Sequence, residues 1–242
     1  MNGTHPDTEV RILHTSDNHI DQISTCAALG KVVDKANELE VDLVILAGDF
    51  FDNARVRDEV VFETIRQLGR LDMPVVLLPG NHDQLDQYTI YNHPGFQNLP
   101  WQVILLRDPE GETVLFEDLK LNVWGRPTYD HHMDFRPLQG APPRNGAWWH
   151  VGIAHGFYVP PGVENDRSSP IFAYEIEATG YDYVALGHSD LFEDLSQGSV
   201  RAAYSGAPIL TSDGRELGSV CLVHLHPSRG VEFRQVSLAE PE

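Results

Sequence analysis

Hydrophobic and polar positions divide the first half of the chain into alternating strands and helices. Val10–His14 is a short apolar run ending in polar residues, and over Ile23–Glu40 the residues Leu29, Val32, Val33, Ala36 and Leu39 recur at helical spacing. Asp42–Ala47 is rich in branched aliphatics and closes on Gly48, the pattern of a strand buried on both faces. A segment opening at Asp58 and Glu59 carries Val60, Val61, Ile65 and Leu68 on one side, which predicts a second helix with acidic residues at its positive end. Pro74–Leu78 repeats the strand pattern and stops at Pro79-Gly80. Strand, helix, strand, helix, strand predicts βαβ units and a mostly parallel first sheet.

The second half changes character. Val103–Leu106, Thr113–Phe116 and Lys120–Trp124 read as strands joined by short polar turns, hence partly antiparallel. His150–Ala154 and Asp182–Leu186 are further apolar runs, and Val200–Tyr204, Ser219–His226 and Gly230–Val236 complete the pattern as hairpin strands. Two stretches with clustered prolines, Arg126–Ala147 and Gly156–Pro170, are expected as long loops of the kind that carry function.

Composition adds bounds. With 242 residues, 41% hydrophobic and 22% charged, the chain suits one folded domain over residues 1–242 and excludes a disordered or collagen-like polymer. Lys+Arg 17 against Asp+Glu 36 gives a net charge of −19, which disfavours, without excluding, a nucleic-acid partner, because the overall field repels phosphates. The apolar runs are too short to span a bilayer, so no membrane partner is expected, and the opening MNGTHPDTEV lacks the basic-then-apolar pattern of a secretory signal. Cys26 and Cys221 have no metal or redox spacing and read as buried spectators in a reducing compartment, so the expected location is cytoplasmic. Nothing in the pattern addresses oligomeric state.

The chemistry-bearing residues sit where apolar runs end. RILHTSDNH delivers Asp17 and His19; VDLVILAGDFFD delivers Asp49 and Asp52; PVVLLPGNHD delivers Asn81, His82 and Asp83; WHVGIAH delivers His155; YDYVALGHSD delivers His188 and Asp190. Taken singly, each fragment is ordinary turn chemistry. In order, each at a strand end, they place carboxylates, imidazoles and an amide where open α/β sheets bind ligands, and the donor set suits Mn, Fe, Zn or Mg.

Together, Asp17-x-His19, Gly48-Asp49-Phe50-Phe51-Asp52, Gly80-Asn81-His82-Asp83, His155 and Gly187-His188-Ser189-Asp190 resemble the signature of the calcineurin-like metallophosphoesterase superfamily. The pieces ILHTSDNH, DLVILAGDFFD, LLPGNHD, DYVALGH and YSGAP are most similar to the catalytic subunit of double-strand-break repair exonucleases. The resemblance implies a sandwich of two mixed β-sheets with flanking helices. It implies two divalent metal ions bridged by Asp49, with Mn favoured and Fe, Zn or Mg as alternatives. The first ion would take Asp17, His19 and Asp190, and the second Asn81, His155 and His188. His82 would contact a phosphate oxygen or protonate the leaving oxygen, with Asp83 or Asp52 orienting its ring; a surface turn is the competing role for both aspartates.

The implied activity is hydrolysis of a phosphodiester or phosphomonoester by a metal-bound hydroxide, two dications lowering the pKa of the water and neutralising the phosphoryl oxygens. The alternatives are a DNA exonuclease or endonuclease of the repair branch and a catalytically silent binding module. One position departs from the family: its last motif ends in histidine where Asp190 stands. A third carboxylate ligand predicts harder ions at the first position and a less acidic bound water. His14, His131, His132, His224, His226, Arg55, Arg57, Arg126, Arg167, Trp148 and Trp149 are expected in packing or exposed structural roles.

Overall fold

The computed structural model describes residues 6–211 and 216–239. One sheet contains β1 (Val10–Thr15), β2 (Leu43–Ala47), β3 (Val75–Leu78) and β4 (Val103–Leu105), flanked by β13 (Ser219–His226) and β14 (Gly230–Ser237), in the order β14-β13-β1-β2-β3-β4. The other contains β5 (Glu112–Phe116), β6 (Leu121–Gly125), β7 (Trp149–His155), β10 (Tyr183–Gly187), β11 (Phe192–Asp194) and β12 (Arg201–Ser205), in the order β11-β12-β10-β7-β6-β5. β8 (Phe157–Val159) and β9 (Pro170–Phe172) form a separate parallel pair. The centre of each sheet is parallel, β1 to β4 in one and β6, β7, β10 and β12 in the other, with antiparallel strands outside.

Period-two alternation explains why the central strands are apolar throughout. On β2, Leu43, Ile45 and Ala47 enter the layer between the sheets, where they meet Val123, Trp149, Ile153, Tyr183 and Ala185 of the opposite sheet. Val44 and Leu46 point the other way, onto α1 (Ile23–Glu38) and α2 (Asp58–Leu68), whose Leu29, Val32, Val33, Val60, Val61 and Leu68 cover the outer face. α3 (Ala173–Thr179) covers the second sheet through Ile176, against Val184, Leu186 and Tyr204. The result is helix, sheet, sheet, helix, as the resemblance implies.

Several details differ from the sequence reading. α1 stops at Glu38, and α3 has no counterpart in the hydrophobic pattern: it is a seven-residue helix whose start is held by the Glu175 carboxylate on the Phe172 N–H (2.8 Å) and whose end is Gly180 at φ 62. The stretch Gly156–Pro170 is not all loop, since β8 and the first residue of β9 lie within it; Arg126–Ala147 contains no helix or strand. β4 does not pair with β5. The chain crosses between sheets there, and only β5 with β6 is the antiparallel pair. Among the described residues, no helix is long and apolar enough to cross a membrane. Cys26 and Cys221 are both buried and unpaired.

Candidate active site

The carboxyl ends of β1, β2 and β3 meet those of β7 and β10 at one end of the sandwich, and every strand end delivers a motif residue. The Asp17 N–H donates to the Gly48 carbonyl and the His19 N–H to the Asp49 carbonyl, both at 3.0 Å, which ties the first two loops together. Asp17 (φ 53), His19 (φ 44), Asp49 (φ 49) and His188 (φ 115) lie in the left-handed region, four of the seven non-glycine residues that do so among those described. Backbone in this region costs energy for a residue with a Cβ and concentrates at functional sites.

Two glycines permit the sheets to touch. A Cβ on Gly187 would lie 1.9 Å from the Ala47 carbonyl oxygen, and one on Gly48 (φ +90) would lie 2.1 Å from His155 Nδ1. The seam is backbone against backbone, and His155, from one sheet, hydrogen-bonds through Nδ1 to the Ala47 carbonyl of the other (3.0 Å).

That bond places the His155 proton on Nδ1 and turns Nε2 toward two oxygens, Asp49 Oδ2 at 3.2 Å and Asn81 Oδ1 at 3.1 Å. A neutral ring would set its lone pair against two acceptors. Only a second proton or a bound cation resolves this. Burial works against the proton, but the charge and hydrogen bond of Asp49, the Asp17 charge and the Ala47 carbonyl outweigh it and push His155 up to about 10. In return, although burial opposes it, the His155 charge and hydrogen bond and the His82 N–H (2.8 Å) hold the Asp49 carboxyl well below the usual carboxylate range. His188 Nδ1 lies 3.2 Å from the same Asn81 oxygen, and burial, then the His155 charge, lowers it to about 4. Asp17 accepts the His188 N–H at 2.9 Å; burial raises its carboxyl, with His155 opposing and Asp49 adding.

Donor atoms within 4.8 Å of one another form three sets: Asp17, His19 and Asp190; Asp49, His155 and His188; and His19, Asp49 and His82. Asp49 and His19 each belong to two of them. Converging oxygens and imidazoles with no donor between them fit divalent cations.

His82 stands beside this cluster with its side chain 45% exposed. Its Nδ1 donates to the Asp52 carbonyl at 2.9 Å, leaving Nε2 free. The Asp52 carboxylate lies 3.3 Å from His19 Nδ1, which makes no hydrogen bond among the described residues, and 3.7 Å from His82 Nδ1, so Asp52 orients the His82 ring through its carbonyl. Asp83 does something else. It is 1% exposed and accepts from the N–H groups of Phe50 (2.9 Å), Phe51 (3.0 Å) and Gly80 (2.7 Å) and from the Tyr91 hydroxyl (2.5 Å). Its four donors turn it away from the His82 ring and make it a staple between the second and third loops. Tyr91, eight residues on, does not stand out in the sequence, and its closeness to the Asn-His-Asp turn is the one signal that points to it.

A cavity of about 390 Å³ opens beside the cluster, lined by Asp17, His19, Asp21, Thr25, Asp52, His82, Asp190, Ile209, Leu210 and Thr211. The remaining sequence candidates fall outside it. His14 is fully buried between the sheets on the Tyr183 hydroxyl (3.0 Å). His224 and His226 lie on the outer face of β13 near Glu9. The Arg126 guanidinium binds the Pro109 and Arg136 carbonyls, Arg57 pairs with Glu59, and Trp149 is core, its indole on the Thr8 carbonyl.

Comparison with known proteins agrees with this geometry. The chain is 35% identical over 89 residues to the DNA double-strand break repair protein Mre11 of Methanosarcina acetivorans, covering 32% of this chain and 14% of that protein. It is 27% identical over 229 residues to the uncharacterized metallophosphoesterase YhaO of Bacillus subtilis, covering 82% and 53%. The chain thus spans about half or less of the length of these curated relatives. Among solved structures, TT1561 of Thermus thermophilus matches with TM-score 0.59 at 15% identity, over 94% of this chain and 99% of that one. A dimetal phosphatase from Danio rerio matches with TM-score 0.59 at 11% identity, over 96% and 100%. At such identities these two likenesses speak to the fold. The calcineurin-like phosphoesterase model matches residues 10–190, three quarters of the sequence and every site motif from Asp17 to Asp190, and this chain belongs to that family.

Proposed function

We propose that this protein is a phosphoesterase that hydrolyses a phosphodiester or phosphomonoester with two divalent cations, Mn favoured. The observation that carries the reading is the position of Asp49 at the seam, facing His155 on one side and sharing a donor set with His19 and His82 on the other. Asp17, His19 and Asp190 would hold the first ion and Asn81, His155 and His188 the second, with Asp49 common to both. Bound there, the ions would supply an activated water and positive charge for the phosphoryl oxygens. The protein's own groups do the rest. The Asp52 carbonyl fixes the His82 tautomer, so that Nε2, once protonated, can give a proton to the departing oxygen at the mouth of the cavity. The Ala47 carbonyl orients His155 for its ion, and the Asp52 carboxylate places a negative charge 3.3 Å from His19 Nδ1. We further infer one domain over the full sequence and a reducing, cytoplasmic setting, which two buried thiols with no disulfide suit.

The test is purified protein with Mn on bis-p-nitrophenyl phosphate, p-nitrophenyl phosphate and single-stranded DNA, beside Asp49→Asn. Nitrophenol release that disappears in the variant supports the phosphoesterase. The likeness to Mre11 favours nuclease activity as a second reading, which DNA degradation lost in Asp49→Asn would establish. Silence on all three substrates would leave a binding module and refute both.

A further inference from the structure

Two walls stand beside the cluster. The cavity next to His82 is lined by Asp17, Asp21, Asp52 and Asp190. Phe157, Arg167 and His131 stand on another wall, built by the loops that follow β6 and β7. Phe157 begins β8, two residues after His155, and its ring meets that of His188 edge-on at 6.3 Å. The Arg167 guanidinium lies over this ring, 4.5 Å from its centre. Asn165 closes the turn beneath it, accepting the Arg167 N–H (3.1 Å) and donating to the Arg167 carbonyl (2.8 Å). His131 reaches the same wall by hydrogen-bonding through Nδ1 to Ser169 Oγ at 3.2 Å.

Ser169 is what draws the loops together. Its N–H donates to the His132 carbonyl and its carbonyl accepts the Phe157 N–H, both at 3.0 Å. It is 1% exposed and held at φ 51, and a Cβ on the adjoining Gly156 would lie 2.1 Å from its carbonyl oxygen. A buried, strained residue with both backbone groups bonded is a fixed anchor. Nor is the Arg167 charge consumed. Arg57, Arg66, Arg70, Arg136, Arg144 and Arg229 each pair with a carboxylate; Arg167 is among the arginines with no ion pair in the described residues, and the one of them stacked on a ring that touches His188. In a chain of charge −19, a guanidinium without a carboxylate partner, stacked next to a candidate ligand, is available to an incoming anion.

We infer that Arg167 and His131 form an anion subsite on this wall, so that the substrate carries a second phosphate on the part retained after hydrolysis. This rests on the phosphoesterase reading above. His82 faces this cavity and would protonate a leaving alcohol there; the retained part then extends past His188 toward Arg167. A phosphate presents oxygens on several sides and can meet guanidinium and imidazole together.

The experiment compares the p-nitrophenyl ester of thymidine 5′-phosphate with and without a 3′-phosphate, in the wild type, Arg167→Gln, Arg167→Lys and His131→Gln. Wild type is expected to favour the 3′-phosphorylated ester in kcat/KM. Arg167→Gln should reduce that preference by about 3–5-fold, the effect of one exposed charge-assisted contact. Arg167→Lys should restore part of it, and His131→Gln should reduce it by about 2–3-fold, the effect of one weaker neutral contact. No preference in the wild type, or the same preference in Arg167→Gln, overturns the subsite and leaves the phosphoesterase standing if bis-p-nitrophenyl phosphate is still cleaved. If no ester is cleaved under any metal loading, the phosphoesterase reading fails. The subsite is then decided by calorimetric binding of thymidine 3′,5′-bisphosphate against thymidine 5′-phosphate: a bisphosphate advantage lost in Arg167→Gln sustains it, and equal affinities overturn it.

Discussion

Asp83→Asn separates two roles that the Gly-Asn-His-Asp motif allows. As a partner of His82, Asp83 would matter to rate and little to folding. The structure gives it four donors, three main-chain N–H groups at 2.7–3.0 Å and the Tyr91 hydroxyl at 2.5 Å, in a site 1% exposed. Burial, then the nearby Asp49 charge, raises its carboxyl above the ordinary value, and the donors work against that. An asparagine of the same shape keeps one oxygen, loses the charge and turns an NH₂ toward at least one N–H. Hydrogen bonds to a charged acceptor contribute ~1.5–3 kcal/mol each, and an unsatisfied buried donor costs ~1–3 kcal/mol, so a net loss of ~3 kcal/mol is expected. At this chain length that is about 6–12 °C in Tm. Tyr91→Phe removes the hydroxyl alone and should cost ~1.5–2 kcal/mol. Urea unfolding of both variants and of Asp52→Asn, alongside rate–pH profiles, is the assay. An Asp83→Asn protein with an unchanged unfolding midpoint and a displaced pH limb would refute the staple and return Asp83 to the His82 ring.

Further outcomes follow from other features. Burial, opposed only by the Leu186 backbone, lowers His14 from 6.5 to about 3, so it stays neutral in the fold while an unfolded chain takes a proton near 6.5. Its contribution is therefore present above 6.5 and lost as pH falls toward 3; at pH 5 the loss is ~2 kcal/mol, and His14→Leu should shrink the stability difference between pH 7 and pH 5 by that amount, read by urea unfolding. Gly48→Ala should displace His155, which a Cβ would approach to 2.1 Å, and lower divalent-cation affinity by about 10-fold or more in calorimetry; Gly146→Ala, at φ +64 with nothing within 4 Å, should cost ~1 kcal/mol of stability and no affinity. Asp190→His should raise the affinity for Zn relative to Mn by ~10-fold in the same calorimeter, and an unchanged ratio would show that the third carboxylate does not set metal preference.

What the sequence makes legible is whatever repeats or ends sharply. The βαβ half reads from aliphatic runs closing on Gly48 and Gly80, and the motif residues read from their places at those ends. α3 escapes because Ala173, Ile176 and Thr179 offer only two turns of periodicity, directly after a three-residue strand. β8 and β9 escape because their pairing joins residues 157–159 to 170–172 across a polar loop, with too few positions to show alternation. The direction of the Asp83 side chain is invisible for a different reason: turn composition fixes where the chain bends, while the donors that turn the carboxylate inward come from Phe50, Phe51 and Tyr91, distant or unremarked in the pattern. The Arg167 stack likewise depends on a ring ten residues earlier and on the Ser169 anchor, so sequence alone assigns it to an exposed loop.

The contact of Gly187 with the Ala47 carbonyl carries a consequence for how such an enzyme diversifies. Where two sheets meet through main chain, with the His155 ring set against Gly48, little stands between them to be enlarged, trimmed or exchanged. The spacing of the donors above that floor is therefore inherited with the fold, beyond the reach of single replacements that leave the crossing intact. New preferences have to be written in the walls, in stretches such as 126–147 and 160–169 that the floor does not constrain. Proteins sharing this crossing can come to differ widely along those walls, and at rim positions such as Asp190, while the strand ends beneath stay in place.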